Sequence, residues 1–300
     1  MINFILYKIG QAIALMLPFP IAYRVAIFCS DIHYLFANKD RKNVTLNLKT
    51  IFPNKNNKEI AQIRLAMARN FAKYLTDFLK FKQIDKNFIE NKFTIINRHY
   101  LDQAIKQNRG VIALTAHLGN WELGGVVLTY YGYKIYGVAL EHSSRLVNNF
   151  FDNQRKIKGM NIIPFSHAAR QCIKILQQKK ILALLGDRDF TEKGGVIVSF
   201  FGKNTSFPKG PAALAIRTGA LIVPGFVIRL PNDTFKLVFE PPIDPFEVSG
   251  TTNNTRQIKF TEIPDKFVRQ LTIRYLKIIE KYIYLYPEQW FMFRPFWIKE

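Results

Sequence analysis

His117 and Glu122 are the residues whose types and spacing first suggest chemistry in this chain. An imidazole with a carboxylate behind it is a general-base pair: the acid fixes the tautomer and stabilises the imidazolium formed when the ring takes a proton. The bare spacing says little. With five histidines and 22 acidic residues in 300 positions, a carboxylate five places after some histidine arises by chance in about one such sequence in three. None of His33, His99, His142 and His167 has one. The context says more. Residues 110–115 read as a buried strand, Gly119 and Asn120 turn the chain, and Trp121 opens a helix. Two positions five apart on one helix point roughly 140° from each other. The pair can therefore meet only if His117 precedes the helix and the turn swings it back over Glu122. That places both at the carboxyl end of a strand, where open α/β sheets hold their ligands. A satisfied structural histidine is the plainer alternative. A zinc site lacks a second His or Cys at ligand spacing.

The elements around this segment predict how it is held. Short apolar runs at 93–97, 110–115, 134–139, 181–186, 195–201, 220–229 and 234–240 read as strands. Helical patterns lie between or after them at 99–107, 121–130, 143–159, 168–178, 210–218 and 264–285. Alternation of this kind predicts an α/β fold with a mostly parallel central sheet covered by helices on both faces. The later strands, with no clear helix between them, imply some antiparallel pairing. A long amphipathic helix is expected over 56–81.

The first 37 residues differ from the rest. Residues 2–17 and 19–37 are two apolar stretches broken by Pro18 and Pro20, and neither offers the roughly 20 clean apolar residues of a spanning helix. The reading is an N-terminal apolar helical hairpin, 1–37, that lies in or dips into one leaflet, followed by a single α/β domain over 38–300. A buried hairpin in a soluble fold is the alternative. Lys39, Arg41, Lys42 and Lys49 follow at once, which marks a cytoplasmic flank. Lys and Arg number 43 against 22 Asp and Glu, a net charge of +21, alongside 26 Phe. Such a surplus calls for a polyanionic partner, and the Phe content favours an anionic membrane surface over nucleic acid. Two cysteines, Cys29 and Cys172, exclude a disulfide scaffold.

Strand-Ala116-His117-Leu118-Gly119-Asn120-Trp121-Glu122 resembles the H-x4-D/E motif of glycerolipid and glycolipid acyltransferases. It is most similar to the version found in lipid A (Kdo-lipid lauroyl/myristoyl) acyltransferases and phosphatidylinositol mannoside acyltransferases. Further blocks resemble the family in order: Arg41 to Leu48 with Phe52-Pro53, Arg155 to Gly159, Gly186 to Asp189, Val196 to Gly202, Pro208 to Pro211, Thr218 to Pro224, and Tyr286 to Phe291. The segment 187–191 and the Gly-Pro-Ala-Ala run are closer to the mannoside enzymes. The Pro287-Glu288-Gln289-Trp290 ending is closer to the lipid A enzymes.

The resemblance implies transfer of a fatty acyl chain from a thioester, carried by acyl carrier protein or coenzyme A, to a hydroxyl of a glycolipid acceptor. It implies no bound cofactor and no metal, and a site on the cytoplasmic face of the inner membrane. His117 is then the candidate base, Glu122 its orienting acid, and Gly119 and Asn120 candidate oxyanion donors in the turn. Asp187 and Asp189, flanking Arg188, could orient that arginine, bind acceptor hydroxyls or cap a turn. Arg155 could hold an acceptor phosphate or lie on a solvated helix face. Lys209, at a helix start, is a further phosphate or phosphopantetheine candidate. Trp290, Phe291, Phe293, Phe296 and Trp297 fit an interfacial aromatic belt or core packing. No Gly-x-Ser-x-Gly elbow, P-loop or Gly-x-Gly-x-x-Gly occurs, which argues against an acyl-enzyme and against nucleotide chemistry. The competing classes are a basic nucleic-acid-binding protein, which lacks a recognisable motif here, and a non-catalytic lipid-binding protein, which has no use for a His/Glu pair.

Overall fold

Apolar residues at helical spacing build the N-terminal third. In a computed structural model, which describes residues 1–189, 194–249 and 263–297, α1 (Ile2–Met16) and α2 (Phe19–Phe36) arise from the two apolar stretches. Pro18 stands between them as the N-cap of α2, and Pro20 falls in the first turn, where a missing N–H costs nothing. The basic flank, expected only as a charged segment, is itself helical as α3 (Asn38–Ile51). Then comes α4 (Asn57–Leu79), opened by a capping box in which Asn56 accepts from the N–H of Lys58 and Glu59 while Glu59 accepts the Asn56 N–H at 2.9 Å. All three earlier helices pack on α4, α2 most extensively. Lys80, just past α4, is fully buried, and its ammonium donates to the carbonyls of Ala14 and Leu17 at 2.6 and 2.7 Å. A cation there satisfies the orphan carbonyls at the end of α1. Among the described residues no helix is long and apolar enough to cross a membrane.

The rest alternates: α5 (Lys86–Lys92), β1 (Phe93–Ile96), α6 (Arg98–Lys106), β2 (Val111–Thr115), α7 (Trp121–Tyr130), β3 (Ile135–Ala139), α8 (Arg145–Lys156), β4 (Asn161–Pro164), α9 (Ala168–Gln177) and β5 (Ile181–Leu185). These are followed by β6 (Val196–Phe200), β7 (Lys203–Phe207), α10 (Gly210–Thr218), β8 (Leu221–Arg229), β9 (Phe235–Phe239), α11 (Pro245–Ser249) and α12 (Asp265–Leu285). Among the described residues, seven strands form one sheet in the order β1-β9-β8-β2-β5-β3-β4. Every pairing is parallel except β8 with β9, which a tight turn joins. The mostly parallel α/β sheet is thus as expected.

One strand sits elsewhere. The run at 195–201 stays out of the main sheet, because β6 pairs antiparallel with β7 as a separate two-stranded ribbon. The polar stretch from Lys203 to Ser206 gave no strand signal of its own and acquires one only from that partner. The polar excursion expected at 241–257 lies outside the described residues from 250 on.

Both faces of the main sheet are covered, which is why its strands read as continuous apolar runs. Ile112, Leu114, Leu182, Ile222 and Phe226 pack with α9, α10 and α12 on one face. Val111, Ile181, Leu221, Val223 and Leu237 pack with α6, α7 and α8 on the other. On that second face the register sets Ala113 beside Ala183 and Ala183 beside Gly137, a row of minimal side chains across three adjacent strands.

Candidate active site

The chain leaves β2 at Thr115 and reaches His117 at the carboxyl edge of the sheet. The turn that follows is sewn into its surroundings through the backbone. Phe291 N–H donates to the His117 carbonyl at 3.0 Å, Gly119 N–H to the Gln289 carbonyl at 2.9 Å, and Asn120 N–H to the Val227 carbonyl at 2.9 Å. Gly119 has φ +63°, and a Cβ built there would stand 1.8 Å from the Val227 oxygen. Only glycine fits. The Asn120 side chain caps α7 by accepting the Leu123 N–H at 3.1 Å and donates to Asp77 at 2.6 Å.

Asp77 is the hub beneath this turn. It is fully buried and also accepts from the Tyr23 hydroxyl at 2.5 Å and from the Arg229 guanidinium. Arg229 reaches on to Asp233 at 3.0 Å, which Lys73 binds at 2.7 Å. One cluster therefore ties α2, α4, the turn after β2 and the end of β8 together.

The carboxylate bonded to His117 is that of Asp187: Nδ1 and Oδ1 are 2.7 Å apart. Trp290 Nε1 donates to the other Asp187 oxygen at 3.1 Å. The parallel register explains the meeting. Thr115 pairs with Leu185, so the residues two places beyond each lie side by side at the sheet edge. Burial opposes the Asp187 charge, but His117, Arg188 and the Trp290 N–H outweigh it and push its pKa down to about 2. Burial also holds the His117 imidazole below its ordinary range; Asp187 acts against that, while Arg188 and Arg294 add to it. The ring is neutral at neutral pH and so able to accept a proton. Trp121 lies edge-on to it at 5.1 Å between centroids.

The structure gives three sets of these expected residues other partners than the sequence suggests. Glu122, the expected orienting acid, receives Arg155 at 2.7 and 3.1 Å instead, because α7 turns its carboxylate toward α8. Arg155, expected to hold an acceptor phosphate or a solvated face, is engaged by that carboxylate and stacked near Phe78 and Phe151. The backbone N–H groups of Gly119 and Asn120, expected to face an oxyanion, donate to the Gln289 and Val227 carbonyls, and the Asn120 amide donates to Asp77. Of the other expected residues, Arg188 donates to the Phe291 carbonyl, Asp189 accepts the Ser206 hydroxyl at 3.0 Å, and Lys209 pairs with Asp265 at 2.9 Å. Trp290 and Phe291 are buried and belong to the core. Phe190 and Thr191 of the 187–191 segment lie outside the described residues.

A cavity of about 740 Å³ opens at this edge, within the usual range for a small-molecule site. His117, Glu122, Arg155, Arg188, Asp189 and Lys209 line it, together with many apolar side chains from both faces of the sheet. Asp187 stands behind His117, fully buried. Cys172 also lines the wall, but burial pushes its thiol up to about 11, so it is no thiolate. The pairing of His117 with Asp187 had one signal available in the sequence, two apolar strands each followed at the same offset by a chemically active residue. Reading it required knowing that the two strands are neighbours. Asp77 and Arg229 gave no such signal.

The family model for bacterial lipid A biosynthesis acyltransferases matches residues 1–299. The chain is 26% identical over 242 residues to the phosphatidylinositol mannoside acyltransferase of Mycolicibacterium smegmatis, covering 79% of this chain and 73% of that one. It is 31% identical over 129 residues to the enzyme of that name from Mycobacterium tuberculosis, covering 42% and 40%. It is 19% identical over 237 residues to a lipid A biosynthesis acyltransferase of Haemophilus influenzae, covering 77% and 74%. With a neutral, carboxylate-backed histidine at the expected motif and a family match over nearly its whole length, the chain belongs to the bacterial lipid A biosynthesis acyltransferase family and is an acyltransferase.

Proposed function

We propose that this protein moves a fatty acyl chain from an acyl thioester, on acyl carrier protein or coenzyme A, to a hydroxyl of a glycolipid at the membrane surface. The observation that carries the reading is the His117–Asp187 pair at the mouth of a mainly apolar cavity. With Nδ1 held by Asp187, Nε2 is the nitrogen that takes the hydroxyl proton. The acceptor oxygen attacks the thioester carbonyl carbon, the C–S bond breaks, and the imidazolium returns its proton to the leaving thiolate. Asp187 stabilises the imidazolium between those steps. Arg188, on the cavity wall and acting on His117 as a positive charge, offsets the developing oxyanion. Asp189 and Lys209, also on the cavity lining, serve the acceptor head or the carrier's phosphate. The direct test is incubation with a radiolabelled acyl thioester and a mixed glycolipid fraction. Label appearing in an O-linked glycolipid supports the reading, and label appearing in none of the lipids rejects it.

The membrane contact is assigned to α1 and α2. Leu6, Ile9, Phe28, Leu35 and Phe36 are each more than half exposed on those helices, and an apolar face of this kind on a strongly basic protein suits an anionic leaflet. Burying one such side chain is worth about 1.5–3 kcal/mol. The double substitution Leu6→Glu with Phe28→Glu should therefore weaken binding to phosphatidylglycerol vesicles at least about tenfold. Sedimentation measures it, and unchanged binding would assign the contact to another surface.

A further inference from the structure

The cavity lining includes Arg188, Asp189 and Lys209 at the carboxyl edge of the sheet. The part under α7 is apolar and runs down the sheet face that carries Ala113, Ala183 and Gly137, past Gly125, to Leu128 and Ile135. Both are buried, and Ile135, at the start of β3, is its lining residue farthest down this strand. Residues two apart in a strand share a face, so Ala139, Gly137 and Ile135 mark successive depths on β3. At about 3.3 Å per residue, the lobe is about 13 Å deep along this strand, and Gly137 lies about 7 Å above the floor.

The glycines bordering this lobe differ in what their missing side chains would meet. A Cβ on Gly124 would come within 3.1 Å of Val227, on Gly125 within 2.4 Å of the Met160 sulfur, and on Gly225 within 3.0 Å of the Phe239 ring. Packing accounts for those three. A Cβ on Gly137 would meet nothing within 4 Å, although glycine inside a strand weakens it. The space that a side chain at 137 would fill is the lobe itself.

Resting on the acyl-transfer reading above, we propose that Gly137 sets the acyl-chain length this enzyme accepts, by leaving open the lower half of the lobe that receives the hydrocarbon tail. A larger residue at 137 ends the lobe about 7 Å short without touching His117 or Asp187. In a hydrophobic pocket each methylene that no longer fits is worth about 10–200-fold in discrimination.

The test compares wild type, Gly137→Ala and Gly137→Leu on a ladder of saturated acyl thioesters from octanoyl to stearoyl on one carrier, with melting temperature as the check on folding. The expected result is a ratio of longest-chain to shortest-chain transfer that falls at least about tenfold in Gly137→Leu, with a smaller fall in Gly137→Ala. An unchanged chain-length profile in a folded Gly137→Leu overturns the proposal, as does an equal loss at every length. Should the leucine variant fail to fold, Gly137→Ala decides by itself: a shift toward shorter chains supports the proposal, and an unshifted profile overturns it. Wild type that transfers none of the thioesters overturns the acyl-transfer reading itself, an outcome separate from a normal wild type whose profile ignores position 137.

Discussion

Asp187→Asn should slow acyl transfer by about 10²–10⁴-fold, close to the loss expected for His117→Ala, with the fold retained in both. The amide keeps the size of the carboxylate and can still meet Nδ1, but it no longer offsets the imidazolium charge and no longer selects the tautomer that leaves Nε2 as the acceptor. The pH profile separates this from simple misfolding. In the proposed mechanism His117 acts as a neutral base, and burial already holds its pKa below the ordinary imidazole range, so the wild-type rate should fall only on the acid side of that range. Asp187 is the partner that pulls the ring's pKa back up. Removing its charge should therefore move the acid limb to still lower pH, even as the plateau drops. Glu122→Gln, which loosens Arg155 instead, should leave the limb where it is. Steady-state rates across the acid range decide it: a limb that moves for Glu122→Gln and stays put for Asp187→Asn would return the orienting role to Glu122.

Asp77→Ala is the substitution with the largest expected cost in stability. Asp77 accepts from Tyr23, Asn120 and Arg229, and Arg229 is itself buried. Removing one partner of a buried ion pair leaves the other charge uncompensated, at a cost of about 3–5 kcal/mol. Asp233 still meets Arg229, which places the expectation toward the lower end. The loss also frees the Asn120 amide that anchors the turn after His117, so activity should fall by more than the folded fraction alone explains. Urea denaturation gives the first quantity and rates normalised to folded protein give the second. A stability change under about 1 kcal/mol would mean that the cluster is solvated or redundant.

Local order made the sheet legible in the sequence, because strands buried on both faces advertise themselves as apolar runs, and the helices between them by their amphipathic spacing. β2 with α7 was readable for the same reason, and with it the position of His117 at a strand end. The elements that were not readable lack an intrinsic signal: β7 is polar and exists because β6 pairs with it, and α3 looks like a charged linker until it packs on α4. The sequence by itself determined the α/β class, the place of His117 at a strand end on it, and the family. Only the tertiary structure decided which carboxylate serves that histidine. Proximity along the chain favoured Glu122, but a helix turns its side chains by a set angle per residue, and that carries Glu122 toward Arg155. Strand order brings β5 beside β2 in register, and Asp187, seventy positions away, arrives at the ring instead.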